Sequence, residues 1–162
     1  MINGFVDLTF AGWIHTILST VGIVVGAEQL IRTRRDRLHR RLGYVYVFAM
    51  LIADGAILNV YRFNGRFNVF HVGAIVNVVM IALALRPMLV NPRPRQWRLT
   101  HYMFVSWSYV GLLAAALTEL VIRTQPLGGG GATIIATVLA STLVAGTGAV
   151  LIQRHKPKPA PG

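Results

Sequence analysis

The sequence predicts an all-α integral membrane protein, with an antiparallel four-helix transmembrane core and a fifth, peripheral transmembrane helix. Three observations lead there. Apolar residues make up 54% of the 162 and charged residues only 13%, whereas a soluble domain carries about 25% charged residues. The apolar residues gather in five runs, each near the ~20 residues that a spanning helix needs. Sixteen Lys+Arg stand against five Asp+Glu, for a net charge of +11, and the basic residues lie between the runs. This composition excludes disorder and argues against a soluble enzyme. Cysteine is absent, which excludes disulfides, thiolate metal sites, iron–sulfur clusters and a cysteine nucleophile.

The first run, Leu8–Ile31, has no basic residue before it and exceeds the ~7–15 apolar residues of a cleaved signal peptide. It therefore reads as a spanning helix. The polar stretch Arg32–Arg41 follows, with Asp36 placed to cap the second helix, Leu42–Tyr61. Arg62–Asn68 leads to the third run, Val69–Leu85. Pro92 and Pro94, within Arg86–Thr100, predict that the fourth helix starts ahead of its apolar run His101–Ile122. Arg123–Gly131 connects to the fifth run, Thr133–Ile152. Residues 1–152 then form one membrane-embedded helical domain, and 153–162 a basic, Pro-rich, disordered tail. Helices are the reading that closes every backbone hydrogen bond inside hydrocarbon.

Basic residues divide sharply by side. The first and third connections and the tail hold thirteen: Arg32, Arg34, Arg35, Arg37, Arg40, Arg41, Arg86, Arg93, Arg95, Arg98, Arg154, Lys156 and Lys158. The other side holds three: Arg62, Arg66 and Arg123. The positive-inside rule puts the thirteen in the cytoplasm and the N-terminus outside, in the inner (plasma) membrane. The charge is thus a topology signal that also attracts anionic lipid, and nucleic acid is not an expected partner.

The few polar residues in the helices form stripes at steps of three and four. The first helix carries Gly12, His15, Ser19, Gly22 and Gly26; the second carries His39, Gly43, Tyr46, Met50 and Asp54. The third carries His71, Ala74, Val78 and Ala82, and the fourth His101, Phe104, Ser108, Gly111, Ala115 and Glu119. Small and hydroxyl residues at this spacing are ordinary packing seams in membranes. Histidines are different, because an ionisable residue inside a membrane is a functional candidate by default. Four helices supply one each. His15 and His71 fall at the outer level, His39 and His101 at the inner level, and each pair comes from helices that lie diagonally in an up-down bundle.

Two imidazoles facing each other at one level suit both axial positions of a b-type haem. Gly12, Gly43, Gly73 and Gly111 offer room beside a porphyrin; Arg40, Arg41 and Arg98 offer propionate partners inside, and Arg62 or Arg66 outside. The expectation is a transmembrane electron-transfer protein with one or two haem b, metal ligands His15, His71, His39 and His101, and a redox partner or a second copy. A rival constellation is a non-haem site of His15, Asp54, His71 and Glu119, whose N/O ligands suit zinc, copper or iron in a metal-dependent membrane enzyme. A third reading is a cofactor-free structural or assembly subunit whose histidines join helices. Simpler pairings compete for the acids. Glu119 has Arg123 one turn on, Asp54 has Asn77 or Asn59, and Glu28 precedes Arg32 by four, a favourable ion-pair order. His155 reads as solvated.

The stretch from His15 through Gly26-Ala-Glu-Gln-Leu30 to His39-Arg-Arg-Leu-Gly43-Tyr-Val-Tyr46, with the later His101-Tyr-Met103, resembles the bacterial membrane family called domain of unknown function 2306. The resemblance runs from about Trp13 to Arg123 and leaves the fifth run outside; it implies a membrane protein and no particular activity. A second resemblance is architectural. Histidine pairs on alternate helices at two levels are similar to the core of ascorbate-type dihaem b cytochromes, which implies His15 with His71 and His39 with His101 as haem ligands.

Overall fold

The computed structural model describes residues 9–32, 35–60, 65–124 and 130–157. These form five helices: α1 (Phe10–Ile31), α2 (Arg37–Ile57), α3 (Val69–Leu89), α4 (Trp97–Thr124) and α5 (Gly130–His155). No strand occurs among the described residues. The chain is an all-α membrane protein, and α1, α3, α4 and α5 are long and apolar enough to cross a bilayer. Helix α2 differs from the expected second span, Leu42–Tyr61, because it begins in the basic stretch and ends at Ile57. Arg37, Arg40 and Arg41 occupy its opening turns, and its apolar part is shorter than the ~20 residues hydrocarbon requires.

Local sequence sets the helix ends. The side chain of Thr9 accepts a hydrogen bond from the Gly12 N–H (3.1 Å) and caps α1. Asp36 caps α2, its Oδ1 accepting from the His39 N–H at 3.0 Å. That bond outweighs desolvation and, with help from the charge of Arg32, holds the Asp36 carboxyl below its usual range. The cap is therefore present at neutral pH and is lost as pH falls through that lowered value. Asp36→Ala is expected to fray the first turn of α2, seen as faster amide exchange at His39 with the centre of α2 unchanged. Helix α4 starts at Trp97, after Pro94 and ahead of its apolar run, as the prolines predict. Helix α5 reaches His155, so Gln153–His155 are helical where a disordered tail is expected. Pro157, which disfavours a helical residue before it, is what ends the helix. Arg34, Arg62, Gly128 and Lys158 lie outside the described residues.

The chain divides into two compact units, Met1–Val78 and Val79–Gly162. In the first, α1 packs along α2. Gln29 Nε2 donates to the His39 carbonyl (2.9 Å), and a His15 ring nitrogen lies 3.0 Å from the Ala53 carbonyl. Each pair has the same residue-number sum, as an antiparallel register requires. The seam uses the small residues of α1, Gly12, Gly22 and Gly26, against Tyr46, Ala49, Met50, Ala53 and Asp54 of α2. A Cβ on Gly43 would stand 3.2 Å from Gln29 Nε2, so the turn end is tight.

In the second unit, α4 packs antiparallel on α5. Tyr102 Oη donates to the Ile152 carbonyl (3.3 Å), and the hydroxyls of Thr118 and Ser141 are 2.9 Å apart. Between them Gly148 meets the Val110 side chain. Helix α5 buries only Gly148 and Ile152, in keeping with a peripheral helix. The stripes of α3 and α4 depart from expectation. The α3 face runs His71, Ala74, Ile81 and Ala84, not Ala82, because a mean step near 3.6 alternates threes and fours. On α4, Gly111 and Ala115 are exposed, whereas Ser106, Ser108, Tyr109, Val110, Leu112 and Thr118 are buried.

Candidate functional site

Three polar residues of the first unit, His15, Asp54 and Asn77, gather near the start of α1 and the end of α2. On α1, His15 is half-buried and its Nδ1 lies 3.0 Å from the Ala53 carbonyl of α2. A carbonyl accepts only, so Nδ1 carries the proton and the lone pair of the neutral ring sits on Nε2. One residue on from Ala53, Asp54 is 5% exposed, and its Oδ2 accepts from Asn77 Nδ2 of α3 at 2.7 Å. The Asp54–Asn77 bond is one of the two pairings the sequence offered; Asn59 instead donates to the Gly55 carbonyl (3.0 Å).

His71 is 1% exposed at the start of α3. Its Nδ1 accepts from the Asn68 N–H (3.2 Å), and the Phe67 ring lies 5.0 Å away between centroids. In this setting the proton of the neutral ring is on Nε2, the opposite of His15. His39, in the first turn of α2, is half-buried with its Nδ1 enclosed and unpartnered among the described residues. Burial, then the nearby Arg35, holds its imidazole below the usual histidine range. In the second unit, His101 Nδ1 lies 3.1 Å from the Ala84 carbonyl of α3, which fixes the same tautomer as His15. His155 Nδ1 meets the Leu151 carbonyl (2.9 Å) on an exposed turn of α5.

Other expected contributors separate. Gly12 is buried, but Gly73 and Gly111 are exposed with open space at the Cβ position. They make no cleft for a porphyrin within their own units. Arg98 and Arg93 stack on the Trp97 ring, 5.5 and 5.1 Å from its centroid. Arg40, Arg41 and Arg66 are exposed. The acids follow the local pairings. Arg123 Nε donates to Glu119 Oε1 at 3.0 Å, and Arg32 reaches Glu28 at 3.5 Å and Asp36 at 3.1 Å. No three His, Cys, Asp or Glu side chains among the described residues form a group able to hold a metal ion. Of that non-haem set, His15, Asp54 and His71 belong to the first unit and Glu119 to the second; Asp54 is partnered by Asn77 and Glu119 by Arg123.

Sequence reasoning did not find the carbonyls of Ala53 and Ala84 or the Asn68 N–H. Backbone groups leave no residue-type signal, and alanine in a helix seam reads as packing.

Residues 12–154 match the family described as predicted membrane protein (DUF2306). The chain belongs to this family. Membership of DUF2306 extends through α5, beyond the Trp13–Arg123 stretch that carries the sequence resemblance. His15, His39, Asp54, His71 and His101 all lie within the DUF2306 match. No curated protein and no solved structure matches the chain.

Proposed function

We propose that this protein is a transmembrane b-type haem protein that transfers electrons, with ligand pairs His15–His71 and His39–His101. The observation that supports it is the ring setting of His15 and His101, each with Nδ1 on a backbone carbonyl, at 3.0 and 3.1 Å. A metal-bound histidine characteristically donates its other ring N–H to a carbonyl or carboxylate, which fixes the ring and raises its basicity. Bound haem supplies one-electron chemistry. The chain holds the rings, excludes water with the apolar α1–α2 and α4–α5 seams, and places basic residues at the helix ends.

A second reading, histidines as joints of a cofactor-free bundle, is favoured by His71. Ligation through its Nε2 requires the other tautomer and the release of the Asn68 N–H. An absorption spectrum of gently purified protein decides between them. A Soret band with low-spin visible bands supports haem, and protein with no visible band is the cofactor-free bundle.

The orientation proposed has Arg32–Arg41, Arg86–Arg98 and Arg154–Lys156 in the cytoplasm of a cell with an inner (plasma) membrane. In the first unit Arg32, Arg35, Arg37, Arg40 and Arg41 lie at one end of the α1–α2 pair. In the second, the Tyr102–Ile152 and His101–Ala84 contacts draw Arg86, Arg98 and Arg154 to one end. Those ends attract anionic headgroups. With no native cysteine, single substitutions report the side directly. Arg95→Cys and Arg154→Cys are expected to react with an impermeant maleimide only after permeabilisation, and Arg66→Cys in intact cells. Labelling of Arg95→Cys and Arg66→Cys from the same side would sink this orientation.

A further inference from the structure

We infer that Arg93, Trp97 and Arg98, at the start of α4, form a discrete site for the phosphate of an anionic phospholipid in the leaflet at that end of the second unit. The site deepens the reading that such ends attract anionic headgroups, and it does not depend on haem. The guanidinium carbons of Arg93 and Arg98 lie 5.1 and 5.5 Å from the centre of the Trp97 ring. A guanidinium stacked on an aromatic face uses its plane, so its N–H edge stays available for the paired hydrogen bonds that match a phosphate. Two arginines gathered on one indole are also partly ordered before a ligand arrives, and less side-chain freedom is lost on binding. No acidic side chain of the unit competes for them. Its one acid is Glu119, which is partnered by Arg123 and stands ~33 Å along α4. The first turn of α4 holds no acidic residue, and the positive end of the helix dipole favours an anion there.

The setting favours a lipid over a soluble anion. Leu89 ends α3 and, with Val90, is exposed; Arg93 follows three residues on. The surface passes from apolar to cationic within this short stretch, as it does where hydrocarbon gives way to headgroups. Tryptophan prefers that same level of a bilayer. Helices α3 and α4, on either side of the stretch, are both long and apolar enough to span. The rest of this end is basic as well. The His101–Ala84 and Tyr102–Ile152 contacts, at 3.1 and 3.3 Å, tie the last turns of α3 and α5 to the start of α4. They bring Arg86 and Arg154 to the same end, where exposed cations attract anionic lipid without selecting it. The two arginines on Trp97 add selection, because a planar fork needs phosphate oxygens at a fixed spacing, whereas a diffuse field needs only charge.

The chain has three tryptophans, so Trp13→Phe with Trp107→Phe leaves Trp97 as a local probe in the full-length protein. In phosphatidylcholine bilayers, phosphatidylglycerol brominated on its acyl chains is expected to quench Trp97 more than brominated phosphatidylcholine does at the same mole fraction. The preference is expected to be about fivefold or more, the scale of one well-placed arginine. Lipid retained by the otherwise unaltered chain through detergent exchange, counted by native mass spectrometry, is a second readout with all tryptophans in place. Arg93→Gln and Arg98→Gln are each expected to lower the preference severalfold. The decisive variant is Arg93→Lys with Arg98→Lys, which keeps both charges and loses both forks; it is expected to lose most of the preference. Arg154→Gln, which removes a charge from the same end but not from the ring, is expected to keep most of it. Full preference in the double lysine variant overturns the site and leaves the general attraction standing. Equal quenching by the two lipids in the protein with both arginines overturns the site and the attraction together. Loss of the preference on adding millimolar inorganic phosphate at fixed ionic strength also overturns it, and marks a soluble-anion site instead.

Discussion

Alanine in place of His15 is expected to remove the visible absorption of one haem outright, and His71→Ala to remove the same one. A bis-histidine iron loses a strong axial ligand when either imidazole goes, so the double variant is expected to be little worse than either single. His39→Ala and His101→Ala form the corresponding pair on a second, spectrally separable haem. The effect reaches beyond the ligand itself. His15 Nδ1 is held by the Ala53 carbonyl at 3.0 Å, and losing such an outer contact typically costs about 10–100-fold in metal affinity. Shifting α2 along α1 is therefore expected to weaken haem retention without touching His15. Fold is controlled for by helical content, because the lost hydrogen bond is worth only about 1 kcal/mol. His155→Ala, on an exposed turn, is the neutral comparison. If the four variants all keep an unchanged visible spectrum, the electron-transfer reading ends and the histidines are joints between helices.

Gly148→Ala is expected to destabilise the α4–α5 pair by about 1–3 kcal/mol, the usual cost of overpacking. The new Cβ would stand 2.5 Å from Val110 Cγ2 and 2.8 Å from Cγ1. Those atoms sit on a β-branched side chain whose χ1 is nearly fixed in a helix, so it has no rotamer to retreat into. The helices must separate, and the Thr118–Ser141 and Tyr102–Ile152 hydrogen bonds on either side stretch with them. Val110→Ala removes both clashing methyls and is expected to restore most of the loss in the double variant. Gly146 is exposed with nothing within 4 Å of its Cβ position. Gly146→Ala is expected to be neutral or to gain a few tenths of a kcal/mol, up to about 1, from helix propensity. Thermal unfolding in detergent checks all four. Equal behaviour of Gly148→Ala and Gly146→Ala would show that α4 and α5 do not meet at this contact.

Much of this architecture is legible in the sequence because it depends on local spacing. Apolar length fixed the membrane class. Asp36 marked the start of α2 by its capping chemistry, and Pro94 marked the approach to α4. The pairs Glu28–Arg32 and Glu119–Arg123 follow from a separation of four on a helix. The small-residue face of α1 and the Tyr46–Met50–Asp54 face of α2 were readable because polar and small residues stand out against an apolar background.

Where that contrast fades, the sequence is silent. A helix between lipid and protein is apolar on both sides, so periodicity does not tell which face of α4 packs, and Gly111 and Ala115 prove to be exposed. Four histidines were visible as residues, but not the state of their rings. His15 and His101 donate to backbone carbonyls, whereas His71 accepts from a backbone N–H. The sequence by itself determined the fold class, the starts of α2 and α4 and the ionisable residues set inside the helices. Only the tertiary structure decided which nitrogen of each imidazole meets a backbone group, that Asp54 pairs with Asn77 and not Asn59, and where a glycine admits a neighbouring helix. Those properties depend on backbone atoms and close approaches between distant segments, and every residue type carries the same backbone groups.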